Sequence, residues 1–111
     1  MAMDKDTEAK IQQLQLFEQN MQSILMQKQQ LQSQQIEIDN AFSEISDSKG
    51  EVFKIVGPIM VSSTKEKIKQ DLDARKEVLA IKIKNVEKQE SQLKEKATKL
   101  QTEVMAKIET K

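Results

Sequence analysis

Asp71 and Asp73 stand close together in the chain and are the residues that most resemble a carboxylate pair for general acid–base work. That chemistry needs company which the sequence does not provide. The 111 residues include no His, the commonest general base and metal ligand, and no Cys, so there is no thiolate nucleophile, disulfide framework or zinc ribbon. No G-x-x-x-x-G-K-[ST] or other glycine-rich phosphate cradle occurs. Asp71 and Asp73 lie in a stretch that reads as a solvated helix, so neither catalysis, a cofactor nor a metal is expected. The remaining chemistry is binding through apolar side chains. Its clearest seat is Glu51–Ser63, E-V-F-K-I-V-G-P-I-M-V-S-S, which holds the only β-like segment, one of two glycines and the only proline.

That stretch reads as a β-hairpin. Val52–Val56 alternates, with Val52, Lys54 and Val56 on one face and Phe53 and Ile55 on the other. Gly57-Pro58 marks the turn, and Ile59 to Val61 or Ser62 returns.

The elements that must position the hairpin are two long helical arms. In the first, a seam runs Leu14, Phe17, Met21, Ile24, Lys28, Leu31, Gln35, Ile38, Phe42, Ile45, in the alternating three- and four-residue steps of a left-handed coiled coil. Lys28 and Gln35 are polar intruders, read either as tolerated packing or as register specification. Eleven glutamines between Gln12 and Gln35 fit a solvated helix face better than a prion-like tract, because the apolar spacing persists through them. Asp6 or Thr7 is the expected cap, Met1–Asp6 is expected to fray, and Gly50 suits a left-handed C-cap. From Thr7 to Asp47 the helix would be roughly 60 Å long.

Ser63-Thr64-Lys65-Glu66 matches a capping box, with Ser63 as cap. The second seam follows as Ile68, Leu72, Arg75, Leu79, Ile83, Val86, Glu90, Leu93, Ala97, Leu100, Val104, ending at Lys107 or Ile108. Two four-residue steps adjoin at Leu79 and Ile83, a stutter that locally unwinds a supercoil. Asp71/Arg75, Glu90/Lys94, Glu95/Lys99 and Glu103/Lys107 are spaced for ion pairs along this helix.

Composition agrees with this plan. Hydrophobic residues make up 37% and aromatic residues 3%, thin for a compact globule of this length, while 32% are charged, as in long helices. Net charge is zero, which disfavours a dedicated nucleic-acid binder. The balance is uneven: Thr7–Asp47 has two Lys against six acids, and Thr64–Lys111 has thirteen Lys/Arg against nine acids. Opposite charges suit arms that lie side by side. No purely apolar run exceeds four residues, too short to span a membrane or act as a signal peptide, and a cytoplasmic setting fits.

The expected fold is therefore mainly α, a single domain over residues 1–111. A long antiparallel coiled-coil helical hairpin has helices at about 7–47 and 64–109, with a single β-hairpin, 51–63, at the helix–helix connection. An isolated β-hairpin is marginal in water and has two open edges. Val52, Phe53, Ile55, Val56, Ile59, Met60 and Val61 need cover that so thin a chain cannot supply. Edge-to-edge pairing with hairpins of other chains is the expected remedy; folding of the β-tip onto its own helices is the alternative.

V-F-K-I-V-G-P-I-M-V (Val52–Val61) between two heptad arms resembles the central hairpin of prefoldin subunits. K-Q-E-S-Q-L (Lys88–Leu93) and the glutamine-rich first arm are similar to the same family, and the likeness extends over nearly the whole chain from about Ile11. Phe53 stands where the family often has Tyr. One hairpin, not two, points to the β type. The resemblance implies a hexamer of two α-type and four β-type subunits on a β-barrel platform. Such a complex is an ATP-independent chaperone that holds unfolded proteins at distal coiled-coil tips and delivers them to a group II chaperonin. The client-binding candidates are then Ile11, Leu14, Leu16 and Phe17 at one end, and Leu100, Val104, Met105 and Ile108 at the other. Leu14, Phe17, Leu100 and Val104 lie on the seams; Leu16 and Met105 lie off them and are better placed for a client. The rival reading is a structural coiled-coil tether or oligomerisation module without clients, which explains the arms but not the apolar hairpin.

Overall fold

A computed structural model describes residues 4–109. The order is α1 (Lys5–Asp47), β1 (Val52–Val56), β2 (Ile59–Ser63) and α2 (Lys65–Glu109). The residues divide into two compact units. The hairpin unit is Gln30–Ile83; the terminal unit combines Met1–Gln29 with Lys84–Lys111.

In the terminal unit, α1 begins earlier than its sequence suggests. Asp4 is the cap, in place of Asp6 or Thr7: its Oδ1 accepts a hydrogen bond from the Thr7 N–H at 2.7 Å, satisfying one of the free donors of the first turn. Thr7 is then inside the helix and buried, 2% exposed, one heptad before Leu14 on the same seam. The expected fraying of the first residues falls partly on residues 1–3, outside the described range.

In the hairpin unit, α1 ends at Asp47 without a left-handed cap. Gly57, not Gly50, has positive φ (60°). The end is held otherwise: the Ser48 N–H donates to the Ile45 carbonyl at 3.4 Å, and the Lys65 ammonium donates to the Ser48 carbonyl. A cation on a terminal carbonyl does the work of the glycine turn. The strands pair antiparallel, with Val52 opposite Ser63, Lys54 opposite Val61, Ile55 opposite Met60 and Val56 opposite Ile59. Gly57 at φ 60° followed by Pro58 has the sign pattern of a type II′ turn, which matches strand twist. The ladder recruits Ser63, one residue beyond the expected strand, so Ser63 cannot cap α2. Thr64 caps instead: its Oγ1 accepts from the Lys67 N–H at 3.3 Å and its carbonyl from the Ile68 N–H at 3.0 Å.

Both seams are narrow. In the terminal unit Val86 and Val104 are buried, whereas Leu14, Phe17, Met21, Ile24, Lys28, Glu90, Leu93, Ala97, Leu100 and Lys107 are half-buried. Lys107, not Ile108, is the last seam residue. In the hairpin unit Leu79 is buried, and Leu31, Gln35, Ile38, Phe42, Ile45, Ile68, Leu72 and Ile83 are half-buried. Arg75 departs from expectation and is exposed. It lines an open cleft of about 530 Å³ with Gln34, Glu37, Ile38, Ala74, Val78, Leu79 and Lys82, next to the stutter, where the seam's phase changes. A half-buried Leu or Ile contributes only part of the roughly 1.5–3 kcal/mol that full burial brings.

Charge supplements this packing. Lys10–Glu103 (3.4 Å) and Lys28–Glu90 (3.4 Å) join the helices within the terminal unit; rising numbers on α1 meet falling numbers on α2, so the helices are antiparallel there. Asp39–Lys76 (3.0 Å) and the Lys69 ammonium 5.5 Å from the Phe42 ring centroid do the same in the hairpin unit. Beyond the i, i+4 spacing along α2, where Arg75 attracts Asp71, the carboxylates Asp71, Glu90 and Glu103 reach Lys54, Lys28 and Lys10 on other elements. The unequal charge of the two arms is used across them at Asp39–Lys76, whereas Lys10–Glu103 and Lys28–Glu90 run against it.

Candidate assembly and client-binding surfaces

The hairpin carries its apolar residues outward on both faces. One face presents Phe53 (48% exposed), Ile55 (72%) and Met60 (64%); the other presents Val56 (54%), Ile59 (61%) and Val61 (47%). Val52 differs. It is 8% exposed, covered within the unit, and leaves the open set to the other six positions. The hairpin is thus not folded away onto its own helices. Among the described residues only β1 and β2 form this sheet, so each strand has one unpaired edge.

The hairpin's placement over α2 is held by charge. The Lys54 ammonium donates to the Asp71 Oδ2 at 2.8 Å, and this hydrogen bond, with the Lys54 charge and a smaller attraction from Arg75, holds the Asp71 carboxyl below its ordinary range. A small cleft lined by Val56, Val61, Lys67 and Gln70 lies beside the pair. Asp71 is therefore an ion-pair member on an exposed surface. Among the described residues no cluster of His, Cys, Asp or Glu could hold a metal ion. Nor is any helix long and apolar enough to cross a membrane.

The terminal unit holds the other candidates. Leu16 (53%), Met105 (50%) and Ile108 (48%) are exposed. Val104 is 6% exposed and packs in the seam, and Ile11, Leu14, Phe17 and Leu100 are half-buried there. The end of this unit is laced by charge: Lys107 reaches Asp6 at 3.3 Å and Asp4 at 3.5 Å, which raises its pKa. The Asp4 carboxyl is lowered to about 2 by its hydrogen bonds with Thr7, helped by Lys107.

Further exposed apolar residues were not singled out from sequence: Leu25 and Met26 in the terminal unit, Ile36, Val78 and Ile81 in the hairpin unit. All fall between seam positions, and the same heptad count that located the seam would have found them.

Known proteins agree with this architecture. The family model described as prefoldin subunit matches residues 8–111. The prefoldin subunit beta of Pyrobaculum arsenaticum is 37% identical over 86 residues, 76% of this chain and 69% of that protein. Those of Pyrococcus abyssi (32% identical; 89% and 86% covered) and Methanospirillum hungatei (36%; 86% and 82%) are similar over a longer span. The crystal structure of the prefoldin beta subunit from Thermococcus strain KS-1 superposes with a TM-score of 0.90 at 29% identity, covering 95% of this chain and 94% of that one. Two long helices bracketing one β-hairpin, and sequence likeness along most of their length, lead to one conclusion: the chain belongs to the prefoldin family of chaperone subunits, as a member of its β type.

Proposed function

We propose that this chain assembles through its hairpin with other prefoldin subunits into a hexamer of two α-type and four β-type chains. The complex holds unfolded proteins at the arm ends without ATP and passes them to a group II chaperonin in the cytoplasm. The observation that carries the reading is the hairpin: Phe53, Ile55, Val56, Ile59, Met60 and Val61 are all about half exposed or more, beside two unpaired strand edges. Apolar surface of that kind, on an element marginal by itself, is stable when covered by like elements. Neighbouring subunits supply the cover, and closure of the edges into a barrel removes them.

Client holding follows from the terminal unit. Leu16, Met105 and Ile108 offer separated apolar contacts, and methionine adapts to varied partners. Each contact is weak. Six arms on one platform turn them into avidity, because the first contact raises the effective concentration of the next. No step of this requires chemistry on the client, and no residue of the chain is assigned a catalytic role.

Trimming residues before about Gln19 and after about Ala97 tests the division of labour. Assembly with the α-type partner should persist, by light scattering, while suppression of turbidity from a chemically unfolded protein should be lost. A trimmed complex that suppresses aggregation at the same stoichiometry refutes client holding at the arm ends. A full-length complex that never suppresses it favours a tether.

A further inference from the structure

Lys28 and Glu90 are the two charged residues placed at interior seam positions of both helices in the terminal unit, and they meet. The ammonium donates to Glu90 Oε1 at 3.4 Å, with the side chains only 25% and 21% exposed. The neighbouring seam residues, Ile24 and Leu31 on α1 and Val86 and Leu93 on α2, are apolar and buried or half-buried. A leucine pair at this layer would pack at least as well, since a half-buried ion pair returns little beyond its own desolvation. The layer's value must lie elsewhere than in stability.

The geometry points to a pairing code: Lys28 and Glu90 make the seam of α1 accept an antiparallel helix that offers a carboxylate at this layer, and reject a second copy of α1. In an in-register parallel pair of α1 helices, Lys28 meets Lys28; in a pair of α2 helices, Glu90 meets Glu90. If α2 slips by one heptad, Lys28 faces an aliphatic layer and Glu90 faces Met21 or Gln35. Each alternative leaves a charge half-buried without its opposite, and a polar residue at a single seam position is known to specify register and partner at a cost in stability. Most of the remaining seam residues do not discriminate in this way, because apolar layers fit one another in many registers; Gln35 carries no charge, and in the Lys10–Glu103 pair the carboxylate side chain is 45% exposed, so an unmatched charge there costs less. The inference does not depend on the assembly or client-holding reading, although it matters most where many similar arms stand on one platform at high local concentration.

The absence of cysteine makes the test clean, since one introduced thiol is unique in each chain. Ile24→Cys, one layer from the pair, forms a disulfide between chains only when two α1 helices lie side by side. In the full-length chain with Lys28 and Glu90 intact, little cross-linked dimer is expected under mild oxidation. With K28L and E90L added, the cross-linked fraction should rise about tenfold or more, while the melting temperature holds or increases. The charge-swapped variant, K28E with E90K, should behave like the parent, because the code is preserved with its signs exchanged; K28E alone should lower the melting temperature. Equal cross-linking in the parent and in the K28L/E90L chain overturns the proposal, as does a K28E/E90K chain no more stable than K28E.

Discussion

Replacing Ile55 and Ile59 with glutamate should dissociate the oligomer while leaving the single chain folded. In the chain, Ile55 is 72% and Ile59 61% exposed, so most of each side chain is available for burial by a neighbour. Full burial of an isoleucine is worth roughly 1.5–3 kcal/mol, so these fractions give about 1–2 kcal/mol each and about 2–4 kcal/mol for the pair. At about 1.4 kcal/mol per factor of ten, the association constant falls about 30- to 700-fold per contact made. Burying the new carboxylates costs more still, so this is a lower bound. Because Ile55 and Ile59 face solvent in the chain, the helices that carry most of the circular dichroism signal should melt as before. The assay is mass by light scattering at micromolar concentration with the α-type partner present, alongside circular dichroism of the chain alone. Unchanged mass refutes the hairpin as the assembly element. A large drop in the melting temperature of the isolated chain refutes the premise that the hairpin is exposed.

Replacing Leu16 and Met105 with serine should weaken client holding several-fold without changing the melting temperature or assembly, because both are about half exposed and off the seam; titration of turbidity suppression checks it. Thr64→Ala should destabilise α2 by about 1 kcal/mol, as loss of a helix cap does, and Ser63→Ala by clearly less, as thermal melts would show. The start of α1 should loosen in acid. The Asp4 carboxyl is lowered from 3.8 to about 2 in the folded chain, so its contribution is fully present above pH 3.8 and is lost as pH falls through about 2, an effect visible in faster amide exchange at Thr7. The raised pKa of Lys107 works in the opposite direction: its tie to Asp4 and Asp6 is complete below pH 10.5 and is lost as pH rises through the folded-state value.

The arms were legible in the sequence because heptad spacing is a local signal. A residue's place on a helix face depends on counting alone. Every α1 seam residue from Leu14 to Ile45, the intruders Lys28 and Gln35 among them, is turned inward. The hairpin was legible for the same reason, through a two-residue period and a Gly-Pro turn. Helix ends were not: Asp4, not Asp6 or Thr7, and Thr64, not Ser63, supply the caps, since a cap depends on where the neighbouring element stops. Ser63 has the right chemistry, but the ladder claims it.

The amino-acid order by itself determined the element types, the inward faces and the surplus of apolar side chains in the hairpin, because these follow from spacing and composition. Only the folded chain decided which charges meet. Asp71, Glu90 and Glu103 were each spaced for a lysine or arginine four residues on, and each also meets a lysine on another element, Lys54, Lys28 and Lys10, that no spacing announces. An ion pair is a matter of a few ångströms between side chains distant in sequence, and that separation is set by packing. Packing also decided that Val52 is covered while its neighbours on the hairpin stay open, and that Arg75, in phase on the sequence, leaves the seam where the repeat changes step.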